Sequence, residues 1–244
     1  MTDYNPPVNY SMPFQCGLYP PPPYIYKNMR AILVIFQCSS EIKRQFIPPE
    51  FEPVDGFDIL FITEYPESSI GPYNESLILL YCNYKGNPGA YVANIYVDSE
   101  EALTAGREIW GYPKKLCEIS LSPIIDNKVK GTLKRKGIKF LEVEIELLNR
   151  PPGMNPRDMV AGLPLYNLKL IPDVADNSKP ALRQCTETVL SWEVHNAIGA
   201  HTLYINTEYS KYDICHKIFE DAFKNMGATY VECDQTLPNG RKLD

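Results

Sequence analysis

The sequence predicts a β-rich α+β fold: an antiparallel, strongly curved sheet or a closed barrel that encloses a pocket, with two or three peripheral helices. Three observations predict it. Apolar runs of strand length recur from Ala31–Phe36 to Ala228–Cys233. Short connections such as Lys85-Gly86-Asn87-Pro88-Gly89 join several of them. Helical patterning is confined to a few stretches. So many strands joined so closely leave edges to hide, and curvature or closure hides them.

The elements follow in order. Residues 1–24 hold seven prolines and read as an N-terminal arm, with one domain expected over 25–244. Ala31–Phe36 is a continuous apolar run. Ser39-Ser40-Glu41 caps a short helix that Pro48-Pro49 ends. Asp58–Thr63, Leu77–Tyr84 and Ala90–Val97 are strands, the last two forming a hairpin. Ser99 opens a helix with Glu100 and Glu101 in its first turn, and Gly111 and Pro113 end it. Leu116–Leu121, Lys128–Arg135 and Ile138–Leu148 are strands, the second pair turning at Lys136-Gly137. Leu163–Ile171, Leu182–Val194 and Thr202–Ile205 follow. Ile214, Ile218, Phe219 and Phe223 mark an amphipathic helix over Tyr212–Asn225, before a last strand at Ala228–Cys233.

Composition excludes several classes of function. Of 244 residues, 44% are hydrophobic and 22% charged, which suits a soluble globular protein with a sizeable core. A formal charge of −6 argues against a nucleic-acid partner. The seven cysteines (Cys16, Cys38, Cys82, Cys117, Cys185, Cys215 and Cys233) are odd in number and form no CxxC pair. Reduced thiols in a cytoplasmic protein are therefore expected, not a disulfide framework or zinc site. Met1–Asn9 has no signal-peptide pattern, and no apolar run approaches the roughly 20 residues of a membrane span. His195, His201 and His216 are scattered, and neither a phosphate loop nor a Gly-x-Ser-x-Gly elbow occurs. No metal site is suggested by these residues.

The stretch Gly106-Arg107-Glu108-Ile109-Trp110-Gly111-Tyr112-Pro113-Lys114-Lys115 carries chemistry. It reads as a helix end, a turn and two lysines entering a strand. Consecutive strand residues point to opposite faces, so one lysine faces inward and the other does not. A bare Lys-Lys is ordinarily a solvated pair. Here Ile109, Trp110, Tyr112 and Leu116 flank it and can desolvate the inward amine. Desolvation matters because a free lysine titrates near 10.4 and, protonated, has no lone pair to attack a ketone. Burial lowers lysine pKa values to about 5–6, and a second ammonium nearby pushes the same way.

Gly-Arg-Glu, a three-residue spacer and Tyr-Pro-Lys-Lys resemble the signature of the acetoacetate decarboxylase family. Weaker echoes run in the same order: Pro23-Tyr24 through Asn28, Gly71-Pro72-Tyr73-Asn74-Glu75-Ser76, and Leu168-Lys169-Leu170-Ile171-Pro172. The family is itself the standard example of a lysine activated by an apolar pocket or a cationic neighbour. The resemblance implies that Lys114 forms a Schiff base with a small β-keto acid, converting acetoacetate to acetone and carbon dioxide without a cofactor. It implies that Glu75 is the general acid–base or positioning group and Lys115 the second lysine. Tyr112, Trp110 and Arg30 are the expected substrate-binding residues, and a homo-oligomer is the expected assembly. Arg107 and Glu108 are expected to pair with each other or hold the loop.

Two positions depart from the family pattern. The family carries an arginine at the start of the first long strand, where Met29 falls without a gap and Arg30 with a one-residue shift. Strand alternation sends those two side chains to opposite faces. The family also carries a glutamate in the strand before Glu75, where this chain has Leu60. Two alternatives stay open: Schiff-base aldol condensation and dehydration of keto acids on the same scaffold, and a barrel that binds a small ligand without turnover.

Overall fold

Ala31 to Phe36 are apolar at every position because both faces of their strand are covered; none is more than 7% exposed. The structure is a computed structural model that describes residue 11 and residues 17–153, 156–219 and 224–243, with the side chains of 157 and 158 also outside the description. Most of the proline-rich arm therefore lies outside the described residues.

The strands are β1 (Tyr24–Gln37), β2 (Glu52–Pro53), β3 (Asp58–Tyr65), β4 (Glu67–Ser68), β5 (Tyr73–Tyr84), β6 (Asn87–Val97), β7 (Lys114–Leu116), β8 (Glu118–Leu121), β9 (Lys128–Arg135) and β10 (Ile138–Leu147). They continue with β11 (Pro164–Pro172), β12 (Pro180–Val189), β13 (Ser191–Thr207), β14 (Lys224–Leu237) and β15 (Arg241–Lys242). The helices are short: α1 (Ser40–Lys43), α2 (Glu100–Ala105), α3 (Pro156–Val160) and α4 (His216–Phe219), with a π-helical turn at Gly106–Trp110. Ser39 and Ser99 cap α1 and α2 through their hydroxyls, as their position before acidic first turns implies.

All strands share one sheet, whose main path runs β15-β12-β11-β6-β5-β3-β1-β14-β13-β10-β9-β8. Two parts of the expectation need correction. The sheet is not a closed barrel, since the path ends at β15 and β8. It is also mixed, because β6 pairs in parallel with both β7 and β11. The crossover through α2 and the π-turn brings the chain back beside β6 in the same direction, which a hairpin cannot do. The ends of the sheet are short and charged, Arg241-Lys242 at one and the Glu118–Lys134 pair at the other, which discourages further pairing.

Curvature gives the sheet two apolar layers. Val34, Leu60, Leu80, Tyr96, Phe140 and Val143 belong to one. Leu33, Phe61, Leu79, Val92, Trp110 and Trp192 belong to the other. Adjacent residues of β1 and β3 thus feed different layers, as strand alternation requires.

Three local expectations changed. The β5–β6 hairpin turns on Lys85 and Gly86 alone, both at positive φ, and Asn87 already begins β6. The strand expected over Leu182–Val194 breaks at Leu190 into β12 and the start of β13, and the one expected at Thr202–Ile205 is a later part of β13, which shifts register between Val194 and Asn196 where polar residues break the pattern. The helix expected over Tyr212–Asn225 is α4 alone among the described residues. Asp213 N–H bonds Ser210 at 3.3 Å, so that end of the segment is a turn, and Lys224 already belongs to β14. No helix among the described residues is long and apolar enough to cross a membrane.

Candidate active site

Lys114 opens β7 and is only 5% exposed, while its neighbour Lys115 is half-exposed. Alternation divides the pair as expected. The Lys114 Nζ lies 2.7 Å from Glu75 Oε2. Glu75 projects from β5, and its other carboxylate oxygen accepts from the Tyr65 hydroxyl at 3.3 Å. Gln235 Nε2 donates to that hydroxyl at 3.4 Å, and its own oxygen accepts from Trp192 Nε1 at 2.8 Å. The Tyr73 hydroxyl reaches Tyr26 at 3.2 Å.

These groups border a cavity of about 40 Å³, room for about three water molecules. Lys114 and Glu75 are the only charged side chains among its described lining residues; most of the rest are apolar or aromatic. Burial pushes the hydroxyls of Tyr65, Tyr73 and Tyr26 well above the ordinary tyrosine range, with the Glu75 carboxylate adding to the rise. Tyr112 moves the same way, again chiefly through burial. All four therefore remain hydrogen-bond donors at any working pH.

The motif around Lys114 is a mount for its side chain. A Cβ on Gly106 would come within 2.6 Å of Lys114 Cδ and Cε, so the first glycine makes room for the lysine itself. The π-turn that follows is the kind of helix irregularity found at functional sites. Gly111 ends it at φ 80, a conformation suited to glycine, and lies so close to Lys169 that a Cβ would sit 2.6 Å from its Cα. The Lys169 amine also donates to the Ile109 carbonyl at 3.3 Å, which accounts for the downstream Leu-Lys-x-Ile-Pro echo. Arg107 donates to the Lys114 carbonyl at 3.5 Å, and Glu108 accepts from the Tyr19 hydroxyl. Those two residues hold the loop through different partners.

The structure brings together Lys114, Glu75 and Tyr112, and it sets three other expected site residues elsewhere. Lys115 Nζ is 3.0 Å from the fully buried Asp213, which also takes Arg135 at 3.1 Å and the Tyr96 hydroxyl at 3.2 Å. The neighbour that Lys114 meets is thus a carboxylate, not the second ammonium that the sequence suggested. Arg30 turns away from the cavity to pair with Glu64 and the carbonyls of Leu121 and Ser122, whereas Met29 lines it. Trp110 stands behind Tyr112, its ring 5.9 Å away and its Nε1 on the Pro238 carbonyl. Leu60 faces the opposite apolar layer, and β3 offers Phe61 and Thr63 to the cavity.

Sequence reasoning assigned no role to Tyr65, Tyr73, Gln235 or Trp192. Tyr73 had a signal, since it sits two residues before Glu75 and so shares its face. Tyr65 is its cross-strand partner. Gln235 and Trp192 come from distant strands and carry no local pattern. Among the described residues no three His, Cys, Asp or Glu side chains are grouped to hold a metal ion.

Comparison with known proteins gives the family and the fold. A family model described as acetoacetate decarboxylase matches residues 6–218. The acetoacetate decarboxylase of Burkholderia mallei (strain NCTC 10229) is 27% identical over 181 residues, covering 70% of this chain and 69% of its own. That of Acidiphilium cryptum (strain JF-5) is 28% identical over 166 residues, covering 68% and 67%. The structure of acetoacetate decarboxylase from Legionella pneumophila superposes with a TM-score of 0.87 at 24% identity, over 97% of this chain and 94% of that one. The enduracididine biosynthesis enzyme MppR, complexed with pyruvate, superposes with a TM-score of 0.82 at 20% identity, over 98% of each chain. The structural likenesses speak for the fold and the family model for descent: this chain belongs to the acetoacetate decarboxylase family.

Proposed function

We propose that this protein is a Schiff-base decarboxylase of a small β-keto acid, with acetoacetate the simplest candidate, Lys114 the nucleophile and Glu75 the acid–base partner. The observation that carries this reading is the buried Lys114–Glu75 contact at 2.7 Å on the wall of a mostly apolar cavity. Passing one proton from Nζ to Oε2 across that contact yields a neutral amine and a neutral acid, the forms that the chemistry requires.

The neutral amine attacks the keto carbon, and the Glu75 acid supplies the proton with which the former carbonyl oxygen leaves as water. In the resulting iminium, the bond from the α-carbon to the carboxylate breaks, its electrons move through the new C=C bond to nitrogen, and carbon dioxide departs. The enamine takes a proton on carbon, and water then hydrolyses the iminium to return the lysine and a methyl ketone. The tyrosine hydroxyls, kept protonated by burial, suit the role of donors to the substrate carboxylate. No described guanidinium lines the cavity to hold that carboxylate in its charged form, which favours its loss as neutral carbon dioxide.

A second reading draws on the same observation. With one carboxylate and no arginine among the described residues of the cavity wall, the enamine has fewer fixed charges around it and can attack an aldehyde carbon instead. MppR, whose structures hold pyruvate and its condensation product with imidazole 4-carboxaldehyde, is a neighbour in fold. Carbon dioxide release separates the two readings. The parent protein given acetoacetate is expected to release carbon dioxide stoichiometrically with acetone, and Lys114→Ala to release it only at the uncatalysed rate. Release by both proteins alike, or by neither, would remove the decarboxylase reading.

A further inference from the structure

The hydrogen bonds behind Glu75 form a chain, and one end of it has no choice of direction. Trp192 stands opposite Gln235 in the pairing of β13 with β14. Its indole Nε1 can donate but cannot accept. The 2.8 Å contact between them therefore takes the amide oxygen of Gln235. A turned-over amide would set N–H against N–H. That fixes the Gln235 nitrogen toward the Tyr65 hydroxyl, at 3.4 Å. An amide nitrogen only donates, so the Tyr65 oxygen accepts there, and its own proton is left for Glu75 Oε1, at 3.3 Å. Trp192, Gln235, Tyr65 and Glu75 are all buried, where an opposed pair of donors costs more than in water.

The direction decides where Glu75 carries a proton. Run forward, the chain sets a donor on Oε1, and the acid proton of Glu75 belongs on Oε2, 2.7 Å from the Lys114 amine. Run in reverse, the amide oxygen would accept from Tyr65, and the Tyr65 oxygen would accept from a protonated Oε1. The acid proton would then point away from the amine. Tyr65 cannot choose between these states by itself, because a hydroxyl both donates and accepts. Gln235 cannot choose either, since its amide has one group of each kind. Of Trp192, Gln235 and Tyr65, the indole is the group with a single function, and it breaks the symmetry.

We propose that Trp192 and Gln235 are positioning residues. The Trp192 N–H locks the amide of Gln235, and through the Tyr65 hydroxyl it keeps the exchangeable proton of Glu75 on Oε2, facing Lys114. This inference rests on the Schiff-base reading, in which Glu75 gives and takes that proton. It adds the device that holds the carboxyl group in its working state.

The test measures carbon dioxide release from acetoacetate by the parent protein, Trp192→Phe, Tyr65→Phe and the double variant. Trp192→Phe keeps an aromatic ring against Phe61, whose centroid is 6.1 Å away and edge-on, and removes the N–H. Its kcat is expected to fall about tenfold, the worth of one hydrogen bond, with KM little changed. Tyr65→Phe leaves no hydroxyl to orient. In that background the same substitution is expected to change kcat by less than about twofold. Gln235→Met fills similar space without a donor, is expected to match Trp192→Phe in both backgrounds, and decides where Trp192→Phe does not fold. Parent-like kcat in a folded Trp192→Phe or Gln235→Met overturns the proposal. An equal fall in both backgrounds does so too, because a packing role would carry through unchanged. Borohydride reduction of the parent with acetoacetate separates this proposal from the reading beneath it. An adduct on Lys114 together with additive variants removes the positioning chain alone. No adduct and no carbon dioxide from the parent removes the Schiff-base reading, and the chain's role with it.

Discussion

Among the described residues, two lysine–carboxylate pairs are buried at nearly the same distance, Lys43–Asp58 and Lys114–Glu75, and the second lies on the wall of the cavity described above. Lys43 and Asp58 meet at 2.8 Å with both side chains fully covered. Lys43 also donates to the Val54 carbonyl, and the Asp58 oxygens take the amides of Cys38 and Tyr81. That pair ties α1 to β3 and β5, and it has no room for a substrate. Lys114 and Glu75 meet at 2.7 Å, but the carboxylate has one further protein partner, a 3.3 Å contact from Tyr65. The comparison teaches that burial alone does not make a lysine reactive. A saturated pair in solid packing is structure; under the proposed function, the sparsely bonded pair beside a cavity is the one that meets a carbonyl.

The sharpest way to break this contrast is to remove each amine. Lys114→Met is expected to abolish turnover while the protein stays folded, since Glu75 keeps its hydrogen bond from Tyr65 and lies on the wall of a cavity. Lys43→Met leaves Asp58 buried without its cation and is expected to cost about 3–5 kcal/mol of stability. Denaturant midpoints and specific activity, measured on both, separate the two roles. If Lys43→Met lost activity at full stability, the division between structural and reactive pairs would be wrong.

Next in size is the carboxylate. Glu75→Gln keeps the shape and removes the proton exchange, so kcat is expected to fall about 10²–10⁴-fold. The measurement is steady-state turnover with circular dichroism as a check on folding. A loss of less than tenfold would make Glu75 a spacer.

Smaller again is the mount. Gly106→Ala drives a methyl into the Lys114 side chain, a steric conflict of about 1–3 kcal/mol. Folding can absorb it only by moving the lysine, so kcat is expected to drop with KM little changed. Normal kinetics in this variant would show that Lys114 tolerates displacement.

The sequence made the mount legible because its parts are close together. Gly106 to Lys115 is one helix end, one turn and one strand start, and each residue has a local reason for its type. Glu75 was legible through its resemblance to a family segment, with Tyr73 on the same face two residues earlier. The far wall was not legible. Trp192 and Gln235 meet it through the pairing of β13 with β14, and Phe61 and Thr63 through that of β3 with β5. Such contacts leave no spacing in the chain. Alternation did foresee that Met29 and Arg30 would part, but not which would face inward, because a strand buried on both sides shows no preferred face. The parallel partners of β6 were hidden for a related reason: Lys114–Leu116 is too short to reveal its direction.

The smallest effect concerns the thiols. Burial pushes Cys38, Cys82, Cys117, Cys215 and Cys233 up to about 12, against about 8.5 in an unfolded chain. Their neutral forms favour the fold. That stability is fully present below pH 8.5 and is lost as pH rises toward 12. Titration with a thiol reagent at pH 8 is expected to leave all five unlabelled in the native protein and to label them on unfolding. Rapid native labelling would place them nearer solvent than the two apolar layers allow.

The most direct measurement is peptide mapping by mass spectrometry after borohydride reduction in the presence of acetoacetate. The account predicts a single reduced adduct on the peptide that contains Lys114, with Lys43 and Lys115 unmodified and no adduct in Lys114→Ala. An adduct of equal yield in Lys114→Ala, or one mapped to Lys115, would contradict it.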